Sequence, residues 1–165
     1  MNKNNENNND ITLSSRDDMR QINLSLTQQT SRNINILSNN LDAEVFNNQD
    51  FVEAIKQLSI SNKSSKIRIL IKDSDPMCQN GHRMIKLIQQ LTSSIEVRKV
   101  AKEYISDSRE FSLFDHKGVI YRPHADRYDG TAHFNLPGFV SELLNYFDEV
   151  WEHSLPDEKL RRVYL

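Results

Sequence analysis

The chain has one cysteine, Cys78, so no internal disulfide can brace it, and DPMCQNGH supplies neither a C-x-x-C partner nor the flanks of a thiol protease. It also lacks an excess of one charge, since 21 Lys and Arg stand against 23 Asp and Glu, for a net charge of −2. That balance excludes a general electrostatic pull toward DNA, RNA or anionic lipid and confines any nucleic-acid role to a local basic face. No apolar run is long enough to span a bilayer, and MNKNNENNND lacks the apolar core of a signal peptide. No internal repeat is visible. Together these absences lead us to expect a chain with no membrane association, working in a reducing, cytoplasmic setting.

What is present suits one domain. A length of 165 residues with 37 % hydrophobic content is enough for a single core and too little for two. Six of the first ten residues are Asn, too polar to offset the entropy of ordering, so residues 1–12 are expected to be disordered and 13–165 to form the domain. Met19, Ile22, Leu24 and Leu26 suggest a weakly amphipathic helix to about Gln29. NINILS (33–38) reads as a strand. The next helix carries Phe51, Ile55 and Leu58, with Asn47 or Asn48 as its N-cap.

KIRILIKD (66–73) is the clearest strand, with Ile67, Ile69 and Ile71 on one face and Arg68, Leu70 and Lys72 on the other. DSDP then reads as a turn, Gln79–Leu91 as a helix and IEVRKV (95–100) as a strand. This alternation predicts right-handed crossovers and an α/β fold with a mixed, largely parallel sheet flanked by helices. EFSLFD (110–115) and GVIYR (118–122) leave no room for a helix, so they predict a hairpin in which Gly118 supplies a positive φ. A long helix from Pro137 carries Val140, Leu143, Leu144, Phe147, Val150 and Trp151 inward, and Leu160 and Tyr164 are expected to pack back on the body.

The order of these elements, with IRILIKD, GHR, FDHKGVIYRP, YDGTAHFN and FDEVWEHS followed by LRR, resembles one half of the phospholipase D-like superfamily over roughly residues 30–165. Within it the chain looks like an uncharacterised bacterial group of PLD-like domains, sometimes attached to GNAT-type acetyltransferases. The resemblance implies an H-x-K-x-x-x-x-D motif on the first hairpin strand. In that motif His attacks phosphorus, a second His protonates the leaving group, Lys neutralises phosphoryl oxygens and Asp completes the set. With the Asp aligned on Asp115, the Lys position falls on Glu110 and the His position on Ser108. A carboxylate there repels phosphate, and a serine without a base is a poor nucleophile. The segment resembling G-S-x-N is also altered: Gly130 and Thr131 are present, but Asn135 stands late.

Other residues offer chemistry. HADRYD brings His124, Asp126 and Asp129 together, but at no ligand spacing, so no metal and no cofactor are expected. GHR lies between a strand end and a helix, where open α/β sheets bind ligands; His82, Arg83, Asp73, Tyr128 and Gly130 are candidates to line such a site. Against that, His82 and Arg83 would bond loop carbonyls or Asp73 and Asp75, fixing the connection, and this is the preferred reading. Arg68 and Arg98 need carboxylate partners if their face is covered, with Asp115 or Glu110 as candidates. The Leu143, Phe147 and Trp151 stripe reads as core.

Three functions compete. The first is a catalytically degenerate PLD-like domain, a binding or regulatory module. Because two halves meet in that superfamily, the resemblance implies a homodimer, or association with an acetyltransferase. The second is a phosphodiesterase or nuclease with catalytic groups relocated to His82, His124 or His133. The third, nucleic-acid binding through Arg68, Lys72, Arg98, Lys99 and Lys102, is the weakest because the charge is near neutral.

Overall fold

Short apolar runs that alternate with amphipathic segments build one open sheet with helices on both faces. The computed structural model describes residues 10–161. The expected disorder of residues 1–9 and the packing of Tyr164 fall outside the described residues. In chain order the elements are β1 (Ile11–Leu13), α1 (Arg16–Gln29), β2 (Asn33–Ser38), α2 (Ala43–Phe46), α3 (Gln49–Ser61) and β3 (Lys66–Ile71). Next come α4 (Asp75–Gln79), α5 (Arg83–Gln90), β4 (Ile95–Lys99), a 3-10 turn at Lys102–Tyr104, β5 (Glu110–Phe114) and β6 (Gly118–Arg122). The chain continues through β7 (Gly130–His133), α6 (Pro137–His153), β8 (Leu155–Pro156) and α7 (Glu158–Arg161).

The strand order is β1-β7-β6-β5-β2-β3-β4-β8. Parallel pairing is confined to β2–β3–β4, where helical crossovers connect the strands. The ladders on either side are antiparallel, so the sheet is mixed but less parallel than the sequence suggests. Ile67, Ile69 and Ile71 lie in a core with α1, α3 and α5, whereas Leu70 joins Val140, Leu143 and Phe147 beneath α6. Each such side chain, fully buried, stabilises the fold by about 1.5–3 kcal/mol. The Leu143, Phe147 and Trp151 stripe is therefore core, as its spacing predicts.

Local chemistry fixes the helix starts. The Ser15 side chain accepts from the Asp18 N–H (3.1 Å), and Asn48 accepts from the Phe51 N–H (2.9 Å). Gly81, at φ +65, ends the α4 turn, which is why the helix expected from Gln79 starts only at Arg83.

Three expectations change. Ile11 and Thr12, assigned to the disordered start, are paired on β7. GTAH, given no strand by the sequence pattern, forms β7. In the hairpin, Asp115 (φ 54) and His116 (φ 65) take the left-handed conformation in place of Gly118. Gly118 is small for another reason: a Cβ there would stand 3.1 Å from Leu26 and 3.2 Å from Phe114.

Candidate functional site

The carboxyl ends of β2 and β3 adjoin the start of β5 and the end of β6, because β5 runs antiparallel to both β2 and β6. Ser38, Lys72, Glu110 and Arg122 therefore share one end of the sheet. Asp115 lies at the other end, about 17 Å away along a strand of this length. The positions Ser108, Glu110 and Asp115, aligned by resemblance, thus do not converge on one centre.

Glu110 and Arg122 form a buried ion pair, with side chains only 7 % and 4 % exposed. The other Glu110 oxygen accepts from Ser38 Oγ (3.0 Å) and from the Asn39 N–H (2.7 Å). Arg122 also donates to the Arg127 carbonyl (2.7 Å) and lies over the Tyr128 ring at 5.6 Å. Lys72 donates to the Asp107 carbonyl oxygen; burial lowers its pKa, against the opposing charges of Asp107 and Glu110. Beside it, Asp107 and Arg109 make a two-pronged ion pair. Burial works to raise the Asp107 pKa, but hydrogen bonds from Arg109 and Tyr146 prevail and bring it to about 2.

Arg68 and Arg98 find partners other than those expected. Arg68 donates to Asn35 (2.7 Å) and Asp148 (2.7 Å) and lies over Phe147 and Trp151. Arg98 pairs with Glu96 and covers Trp151 at 4.3 Å. The carboxylate at Glu110 is neutralised by an arginine, but by Arg122. The signal for this was in the sequence: once Phe114 is set opposite Gly118, Glu110 falls opposite Arg122.

Asp115 is a backbone anchor. Its carboxylate accepts from the N–H groups of Ser31 (2.6 Å), Arg32 (2.8 Å) and Asn33 (3.0 Å) and from Ser31 Oγ (3.1 Å). Burial opposes the charge, yet these donors outweigh it and hold the carboxyl below its ordinary pKa. Ser108 is exposed, and its hydroxyl donates to the Pro123 carbonyl (3.0 Å).

Of the residues proposed to line a cleft, His82, Arg83, Tyr128 and Asp73 instead bond to the segment between β2 and α3, whereas Gly130 packs on β6. His82 is buried; its Nε2 meets the Leu41 carbonyl at 3.1 Å, and Nδ1 accepts from the Met84 N–H at 3.1 Å. Nδ1 as acceptor requires the neutral Nε2–H tautomer, and burial lowers the His82 pKa. Arg83 bonds Asn47 through its N–H (2.9 Å) and guanidinium (3.2 Å to the carbonyl). The Tyr128 hydroxyl donates to Asp42 at 2.7 Å and is pushed up to about 12, first by burial and then by that bond. Asp73 accepts from the Asp75 N–H, capping its own turn. Gly130 permits close packing: a Cβ would lie 2.4 Å from the Tyr121 carbonyl oxygen.

His116 and His124 are exposed, and His133 pairs with Asp10 at 3.1 Å at the end of the sheet opposite His82. Among the described residues, no cluster of three or more His, Cys, Asp or Glu is arranged to hold a metal ion, and no helix is long and apolar enough to cross a membrane.

A family model described as "Domain of unknown function (DUF7931)" matches residues 15–163, and the chain belongs to that family. No curated protein matches it significantly. Among solved structures, TrmBL2, an archaeal chromatin protein described as having a novel mode of DNA binding, is similar over 90 % of this chain and 53 % of its own, at 12 % identity and TM-score 0.65. This chain thus spans about half the length of that protein. NucT from Helicobacter pylori is similar over 90 % of this chain and 97 % of its own (14 % identity, TM-score 0.62). Nuc from Salmonella typhimurium, a phospholipase D family member, is similar over 84 % and 90 % (16 % identity, TM-score 0.57). The fold is PLD-like.

Proposed function

We propose that this chain is a PLD-like domain without phosphodiesterase chemistry, acting as a binding or regulatory module in the bacterial cytoplasm. The observation that carries the reading is the state of Glu110. At the position where the resemblance expects a phosphate-binding lysine stands a buried carboxylate whose oxygens are taken by Arg122, Ser38 and Asn39. Ser108, at the nucleophile position, is hydrogen-bonded to a carbonyl and has no imidazole among the partners of its hydroxyl. A hydroxyl without a base is not activated for attack on phosphorus.

The test is turnover of bis-p-nitrophenyl phosphate and of labelled DNA by the purified protein. No product at high enzyme concentration is expected. Turnover abolished by changing His82 or His124 would establish the alternative, a phosphodiesterase or nuclease with relocated histidines.

As a single half, the domain would work as a homodimer or alongside an acetyltransferase. Light scattering after size exclusion is expected to give a dimer mass, and a strict monomer at high concentration would remove that part. A DNA-binding role like that described for TrmBL2 is disfavoured by the near-neutral charge.

A further inference from the structure

We propose that Ser38, Asn39 and Arg122 form an oxyanion-binding cradle that the chain fills with its own Glu110 carboxylate, and that a free carboxylate or phosphate will occupy it when that side chain is removed. The inference does not depend on whether the protein has phosphodiesterase activity.

The donors converge from two separate parts of the sheet. Ser38 Oγ (3.0 Å) and the Asn39 N–H (2.7 Å) reach Oε1 from the end of β2, while Arg122 reaches Oε2 from β6. A hydroxyl, a backbone N–H and a guanidinium on one carboxylate make the donor set that binds small oxyanions. Lys72, one residue past the end of β3, feels the Glu110 charge. Glu110 itself is 6 % exposed, so the carboxylate is enclosed by the fold.

The cradle is held by contacts other than Glu110. Arg122 is aimed by the Arg127 carbonyl (2.7 Å) and by the Tyr128 ring, which Asp42 tethers through the Tyr128 hydroxyl. Ser38 Oγ also accepts from the Leu41 N–H (2.9 Å), and the Leu41 carbonyl faces His82. Removing the Glu110 carboxylate therefore leaves donors in position and an uncompensated buried guanidinium, a strong demand for an anion. A cavity of about 10 Å³ already adjoins the site, so truncation enlarges an existing void.

The experiment is thermal unfolding of the full chain carrying Glu110→Ala in formate, acetate or phosphate against chloride at equal ionic strength. Formate or phosphate at ten times its Kd is expected to raise the Tm by roughly 3–6 °C. The wild type and Glu110→Gln, whose side chain fills the space, are expected to show no such shift, and adding Arg122→Met to Glu110→Ala is expected to abolish it. A larger response to formate than to phosphate would assign a carboxylate-sized site, and the reverse a phosphate-sized one. If Glu110→Ala is unfolded in chloride, cooperative unfolding must return in one of the oxyanions. A variant that stays unfolded in all of them would overturn the proposal. So would a folded variant that responds to no oxyanion beyond chloride, or a wild type that responds equally.

Discussion

Neutralising the Glu110–Arg122 pair one residue at a time should damage the protein far more than removing both. Glu110→Met leaves the Arg122 charge without a counter-ion where the two side chains are 7 % and 4 % exposed, a loss of about 3–5 kcal/mol. Arg122→Met strands the carboxylate by a similar amount. The domain has roughly 5–15 kcal/mol of stability to lose, so each variant is expected to fold, with a sharply lower urea midpoint. The double variant buries no charge. What remains unmet is the Ser38 hydroxyl, the Asn39 N–H and the Arg127 carbonyl, about 1 kcal/mol each, or about 3 kcal/mol in all. Two singles near 4 kcal/mol and a double near 3 kcal/mol give a coupling of about 5 kcal/mol. Equilibrium urea unfolding followed by circular dichroism measures all four proteins. Singles that lose less than about 1 kcal/mol, or a double equal to their sum, would show that the pair is not the closed, desolvated contact described above.

Asp115→Asn is expected to lose about 2–3 kcal/mol and to speed amide exchange at Ser31, Arg32 and Asn33, since the charged acceptor of three N–H groups is gone. Asp115→Gly tolerates the φ of 54 equally well, so wild-type stability in that variant would refute the anchor role. His82 has a folded pKa below its usual 6.5, so the unfolded chain binds more protons and stability falls as pH drops below about 6.5. The urea midpoint should decline between pH 7.5 and 5.5 in the wild type and less in His82→Asn; equal slopes would contradict this. Gly130→Ala is expected to destabilise by about 1–3 kcal/mol, because its Cβ would meet the Tyr121 carbonyl oxygen at 2.4 Å; an unchanged Tm would refute the close approach.

Much of the fold is visible in local pattern. The isoleucines of KIRILI mark β3 and both its faces, Asn48 caps α3, and Pro137 opens α6. The hairpin follows from two apolar runs too close for a crossover. Elements whose stability comes from distant partners escape such reading. β1 has three residues and exists by pairing with β7, and β8 has two residues, held by β4. The same holds at the site: His82 looks like a ligand residue in GHR, yet its two nitrogens are used by Leu41 and Met84.

By itself the sequence determined the order of the longer helices and strands, because hydrophobic period and capping residues act within a few positions of each other. It also determined that Ser108 and Glu110 stand where the resemblance expects His and Lys, which is a matter of residue identity. Only the tertiary structure decided what those residues do. Glu110 is stable as a buried carboxylate because β6 and the end of β2 bring Arg122, Ser38 and Asn39 to it. Asp115 is far from it because one strand length separates two positions only five apart in the chain. Charge and hydrogen bonding act through space, and at this site the groups that satisfy each other come from segments 12 to 72 residues apart.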